Sequence, residues 1–170
     1  GYPECRNAHR LVKDSGGHKT SEVYDFCRRD PLRRFAYKGA SGKRSSPFTT
    51  TRQDHYPGSN RPIPGGVTLY TCDSHYFKDL VSSKLSIKPG DPGAWHMDQG
   101  FTTEQAQHLC AEYRDDRGLW QCPRGRANHH WDSAVMAVVA SDILKLKFWP
   151  KPETAAPKPI KPKKANPYTG

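Results

Sequence analysis

Three aspartates stand where a chain of alternating strands and helices can bring them together. Asp14 follows the short apolar pair Leu11-Val12, and Asp73 closes the run Gly66-Val67-Thr68-Leu69-Tyr70-Thr71-Cys72. Asp132 falls in the first turn of a segment, Trp131 to Leu144, that is apolar almost all the way round and is expected to form a buried helix. Carboxylates gathered at the edge of a sheet repel and raise each other's pKa, so a cluster of them makes sense mainly when a cation fills it. Hard divalent ions such as magnesium or manganese take oxygen ligands of this kind. A pair of such ions about 3.5–4 Å apart can activate water and stabilise the leaving oxygen in phosphodiester cleavage. Each acid also has a bland use: Asp14 in a turn, Asp73 as a helix N-cap, Asp132 as a charge favouring the positive end of a helix dipole.

Other chemistry is weaker. His129 and His130 could contact phosphate or a nucleophilic water, or serve structure alone. A zinc set of Cys110, Cys122, His129 and His130 matches no common finger spacing, and both cysteines also read as core residues. The five cysteines are scattered without C-x-x-C spacing and read as reduced thiols, three of them at apolar positions of expected elements. Two phosphate-loop near-misses fail. In Gly39-Ala40-Ser41-Gly42-Lys43-Arg44-Ser45 the first glycine of the motif would fall on Tyr37, and Arg44 replaces the magnesium-binding hydroxyl. In Gly16-Gly17-His18-Lys19-Thr20, His18 replaces the glycine before the lysine. No nucleotide motor is written in this chain.

The elements that must position the acids follow from periodicity. Leu11-Val12 ends a short strand, and Thr20 to Arg29 has helical spacing through Val23, Phe26 and Cys27 until Pro31. Arg34 to Lys38 reads as a strand, which makes a βαβ pattern and favours a mainly parallel sheet. Residues 39–66 have no periodicity and read as a long basic loop. The strand ending at Cys72 leads into a helix with Phe77, Leu80, Val81 and Leu85 on one face. Ala94 to Met97 is a candidate short strand. Thr102-Thr103-Glu104-Gln105 is a capping box opening a helix whose inner face is Ala106, Leu109, Cys110 and Tyr113. A hairpin through Asp115-Asp116-Arg117-Gly118 then delivers the chain to the Asp132 helix.

The formal charge of +10 is localised. Residues 145–170 hold seven lysines and one glutamate, while residues 38–61 hold Lys38, Lys43, Arg44, Arg52 and Arg61 against Asp54. Basic segments of this kind suit phosphate contacts through counterion release, or simply solubilise disordered chain. With no run of eighteen apolar residues and no signal-peptide pattern, the expectation is a soluble intracellular protein without a membrane role. Beginning on Gly1, the chain reads as a fragment or a processed product.

Four blocks in one order carry a resemblance. They are Asp14-Ser15-Gly16-Gly17-His18-Lys19-Thr20 with Val23-Tyr24 and Phe26-Cys27; Tyr37-Lys38-Gly39-Ala40-Ser41-Gly42; Leu69-Tyr70-Thr71-Cys72-Asp73 with Lys78-Asp79; and Asn128-His129-His130-Trp131-Asp132 with Ala134. From about Asp14 to Ala140 the chain resembles the nuclease domain of the lambda-type (GpA) large terminase subunit of tailed phages. The tail and most of the basic loop are left out.

The resemblance implies an α/β fold with an RNase H-like mixed sheet flanked by helices. It implies a Mg2+- or Mn2+-dependent endonuclease that cuts concatemeric double-stranded DNA during genome packaging in the host bacterial cytoplasm. A small terminase subunit and a portal are the implied protein partners. By analogy Asp14 matches the acid after a central strand, Asp132 the late acid of an N-x-x-x-D motif, and Asp73 a recurrent acidic position. Lys43, Arg44, Arg52, Arg124, Arg126 and His129 would hold DNA phosphates. Some members carry an acid where His129 stands.

The family's nuclease domain begins with a hairpin whose first strand supplies the first catalytic aspartate, and only about a dozen residues precede Asp14. Residues 1–149 are therefore expected to be the latter part of the domain, missing its first strands and leaving a sheet edge unpaired. Residues 150–170 are expected to be a disordered Lys/Pro-rich tail. The rival readings are a non-catalytic DNA-binding or assembly module left from a prophage, and an unrelated RNase H-like resolvase.

Overall fold

A computed structural model describes residues 11–149, so the expected tail at 150–170, like Glu4 and Cys5, lies outside the described residues. Strand β1 (Leu11–Asp14) leads through a tight turn into helix α1 (Thr20–Arg28), and β2 (Arg34–Ala40) returns parallel to β1 with Asp14 opposite Tyr37. The turn is tied by side chains. Ser15 donates both its N–H and its hydroxyl to the Tyr37 carbonyl, and the Thr20 hydroxyl donates to the carbonyls of Ser15 and Gly17. Strands β3 (Phe48–His55) and β4 (Pro62–Asp73) follow, and β4 pairs parallel to β2 and antiparallel to β3. The result is a mixed four-stranded sheet in the order β1-β2-β4-β3.

Strand period places alternate residues on opposite faces. Ala36 of β2 and Val67 and Leu69 of β4 pack with Val23, Tyr24 and Cys27 of α1 on one face. Tyr37 and Cys72, one residue out of phase, pack on the other face against two further helices. These are α2 (Ser74–Ser86), which contributes Phe77 and Val81, and α4 (His129–Ile143), which contributes Trp131, Ala134, Val135, Val138 and Val139. Burying a residue such as Phe77 or Val139 completely contributes about 1.5–3 kcal/mol each, and the four described cysteines are free thiols. Between α2 and α4 lie α3 (Thr103–Leu109) and the small hairpin of β5 (Tyr113–Arg114) and β6 (Trp120–Gln121). The Thr102–Gln105 capping box forms in both directions, and Gly118, at φ +73°, makes the hairpin turn. No described helix is long and apolar enough to cross a membrane.

Several expectations need correction. The stretch 39–66 is not a long loop, because β3 and the start of β4 form a hairpin inside it. Its strand was invisible to periodicity because β3 is a mostly exposed edge of Thr, Arg, Gln and Asp with little apolar alternation. Residues 94–97 are irregular, although Trp95 packs against the core and its N–H reaches the Lys84 carbonyl. Helix α4 leaves Asp132, Ser133 and Ala137 exposed, while α2, α3 and the sheet pack against the rest of it. Tyr113, Cys110 and Cys122 are exposed rather than core, whereas Cys27 and Cys72 are buried free thiols. Burial pushes the Cys27 thiol up to about 11 and that of Cys72 up to about 12, so both behave as small apolar groups.

Candidate active site

The parallel strands β1, β2 and β4 all end on one side of the sheet, where open α/β sheets commonly bind ligands. A cleft of about 390 Å³ opens there, with Asp14, Tyr37, Lys78 and Asp132 in its lining. Met136 and Val135 form its apolar side, and Gly16, Gly17, Gly39 and Ser74 its floor and rim. A Cβ at Gly39 would stand 2.6 Å from the Ser74 hydroxyl and 3.1 Å from the Tyr37 hydroxyl, so a larger residue there would have to displace these side chains.

Two of the three expected acids meet in this cleft although 118 positions separate Asp14 from Asp132 in sequence. Asp14 sits at the end of β1 with its Oδ1 accepting the Gly16 N–H at 2.9 Å, an Asx-type turn. Asp132 sits in the first turn of α4. It is exposed as a residue, yet enough protein surrounds its carboxyl to raise its pKa, with burial the largest cause. The negative charges of Glu112 and Asp14 add to that rise, while Lys78 and His129 oppose it. Tyr37 lines the same cleft, its hydroxyl pushed up to about 12 chiefly by burial, so it is a neutral donor at neutral pH.

Asp73, the third expected acid, is not among the residues that line the cleft. Along β4 it is in phase with Val67 and Leu69, on the sheet face away from α4. It is buried and caps α2, with Oδ1 accepting from the Tyr76 N–H at 3.0 Å and Oδ2 from the Arg44 N–H at 2.8 Å. Burial alone would raise its pKa, but backbone donors from Tyr76, Arg44 and His75 outweigh burial and hold it below the usual carboxylate range.

The residues that pattern reading passed over are Lys78 and Glu112. Lys78, on the second turn of α2, reaches into the cleft and pairs with Glu112 Oε2. Glu112 Oε1 accepts from the Asn128 side-chain amide at 2.9 Å. Asn128 is the N-cap residue of α4 but makes no side-chain cap, and its amide serves Glu112 instead. Lys78 stood inside a recognised block without a role, and Glu112 lies in the irregular segment between α3 and β5, where no period marks it.

The expected phosphate-binding residues are scattered. Lys43 and Arg44 lie in the turn between β2 and β3, and Arg44 also donates to the Thr49 hydroxyl. The Arg52 guanidinium is taken by Asp54 at 3.0 Å and by the Gly65 carbonyl at 2.7 Å. Arg124 and Arg126 are exposed in the approach to α4. His129 stacks edge-on with His108, whose ring also faces His130, each pair 5.7 Å apart between centroids.

The cleft suits an open cation site better than a closed cage. Burial first, and then the negative charges of Glu112 and Asp14, make Asp132 costly to ionise, and a cation relieves that cost. Magnesium-type ions are often held by one or two carboxylates, with water and substrate phosphate completing the shell. Among the described residues no group of three or more His, Cys, Asp or Glu converges on a single metal position, and that includes Cys110, Cys122, His129 and His130.

Comparison with known families gives one match: the family described as terminase large subunit gpA, endonuclease domain, over residues 7–154. No curated protein and no solved structure matches the chain.

Proposed function

Because this chain belongs to the endonuclease-domain family of the gpA terminase large subunit, we propose that its cleft hydrolyses DNA phosphodiester bonds with Mg2+ or Mn2+ held by Asp14 and Asp132. The observation that carries this reading is the meeting of these two acids, from opposite ends of the described chain, in one cleft at the ends of the parallel strands. A bound divalent ion would supply Lewis-acid stabilisation of the charge that builds on the phosphate oxygens. The chain's own groups do the rest. Asp14 is held in position by its turn, Asp132 by the rigid start of α4, and the protonated Tyr37 hydroxyl can donate to an oxygen in the cleft. Asp73 serves the fold as a cap in this reading and not the ion.

The substrate is double-stranded DNA, gripped outside the cleft by Lys43, Arg44, Arg124, Arg126 and His129, with Arg52 the weakest contributor because its fork is already engaged. We further propose an RNase H-like arrangement for residues 1–149, a separate tail at 150–170, and work beside a small terminase subunit and a portal in the host bacterial cytoplasm. Nicking of supercoiled plasmid in manganese tests the activity. It should be lost in the Asp14→Asn/Asp132→Asn double variant, and cleavage that survives both changes would overturn the assignment. A second reading, a DNA-binding or assembly module without catalysis, is favoured by the presence, among the described residues, of two acids in the cleft lining. Salt-sensitive DNA binding without nicking by the unaltered chain would select it.

A further inference from the structure

We propose that Lys78 binds the scissile phosphate inside the cleft and is aimed there by Glu112 and Asn128. This rests on the nuclease reading of the same cleft.

The Lys78–Glu112 ion pair is a weak stabiliser for its burial. The side chains of Lys78 and Glu112 are only 19% and 2% exposed. Taking two charges out of water costs several kcal/mol per ion, and such pairs often stabilise no more than an apolar pair of the same volume. Its position explains it better than its energy does. Glu112 is fixed from both sides, by Lys78 on one oxygen and by the Asn128 amide on the other. An ammonium group has three donors. Among the described residues the hydrogen bond of Lys78 is to Glu112, so two donors remain for whatever enters the cleft that Lys78 lines.

The chemistry of the occupant follows. Lys78 forms no ion pair with Asp14 or Asp132 within 4.0 Å, although all three side chains line the same space. The acids and the ammonium therefore face one another across a gap. A tetrahedral anion bound between them would have its charge met by Lys78 on one side and by a cation held on the carboxylates on the other. A lysine is suited to phosphate as a point charge, without the fork geometry that arginine requires. Among the described residues Lys78 is the one Lys or Arg in the cleft lining, since Lys43, Arg44, Arg52, Arg124 and Arg126 are not part of it. Without it, a DNA phosphate would approach two carboxylates with no protein cation to offset them. Lys78 thus touches substrate, while Glu112 and Asn128 are positioning residues that act through it.

Lys78→Met alone would leave Glu112 buried and unpaired and could unfold the chain, so the informative variant is Lys78→Met/Glu112→Gln, which removes both charges together. Duplex DNA binding is measured across a salt series with calcium, then plasmid nicking with manganese, and manganese binding by its effect on thermal unfolding. The double variant should unfold near the unaltered chain's midpoint and keep its manganese response. The slope of log affinity against log salt should fall by about 0.9, the value for one lost phosphate contact. The turnover rate should drop by about 100-fold, with KM changed much less. Lys78→Arg should restore most of the salt slope. A folded double variant with unaltered slope and turnover would overturn the inference and leave the nuclease reading standing. An unaltered chain that binds neither manganese nor DNA would take down both.

Discussion

Two helices of this molecule start beside an aspartate, and the two carboxylates are treated in opposite ways. At the start of α2, Asp73 is buried and accepts backbone donors on both oxygens, which holds its pKa below the ordinary range. At the start of α4, Asp132 receives no such donors among the described residues, and burial, followed by the charges of Glu112 and Asp14, raises its pKa against the pull of Lys78 and His129. A carboxylate whose lone pairs are used up by the backbone stabilises the fold and has little left for a ligand. A carboxylate left under-partnered in a cleft costs stability, and the cost is recovered when a cation arrives. On the proposed reading, the contrast would separate a structural acid from a functional one without appeal to position in sequence.

The largest effect that can break this contrast is on cleavage. Asp14→Asn/Asp132→Asn should lower manganese-dependent nicking by about a thousandfold or more while the chain stays folded. Asp73→Asn, still a competent N-cap, should leave nicking per folded molecule within about a factor of three. Equal losses in the two variants, seen in plasmid assays on purified folded protein, would erase the distinction.

Next comes stability. Asp73→Ala should cost about 2–3 kcal/mol, from the lost cap and the stranded Arg44 N–H, measured by urea unfolding. Asp132→Asn should instead stabilise at neutral pH by a few tenths of a kcal/mol, small because the residue is exposed and its charge screened.

The pH dependence sharpens the same pair. Asp73 has a lowered folded pKa, so its contribution is present above the ordinary value of 3.8 and is lost as pH falls through the lowered one. Asp132 has a raised folded pKa, so its penalty is present at neutral pH and disappears as pH falls toward 3.8. The gain from Asp132→Asn should therefore vanish on acidification, and a gain that persists below that range would show that charge is not its cause. The smallest effect belongs to Arg52→Ala, a surface pair whose removal should change stability by less than about 0.5 kcal/mol.

Much of the frame was legible from pattern. Helix α1 kept its apolar spacing, the Thr102 capping box formed, and β5 and β6 closed around Gly118 as turn chemistry demands. The family was carried by four short blocks in order, and its match covers residues 7–154. What pattern could not settle was phase. The strand ending at Asp73 is packed on both faces, so its apolar run does not say to which side the final carboxylate points. One residue of phase separates Cys72, on the α4 face, from Asp73, on the other. Strand β3 was missed because an exposed edge needs no apolar alternation. Glu112 was missed because its importance lies wholly in the partners Lys78 and Asn128, which are remote in sequence and come together only in the folded chain.

The most direct measurement is thermal unfolding of the unaltered chain, Asp73→Asn and Asp132→Asn with increasing manganese. A ligand that binds only the folded state stabilises by about 2.7 kcal/mol at a hundredfold excess over its dissociation constant. The expected result is a rising midpoint for the unaltered chain and for Asp73→Asn, and a flat one for Asp132→Asn. A rise that survives in Asp132→Asn and disappears in Asp73→Asn would contradict the division of labour between the two acids.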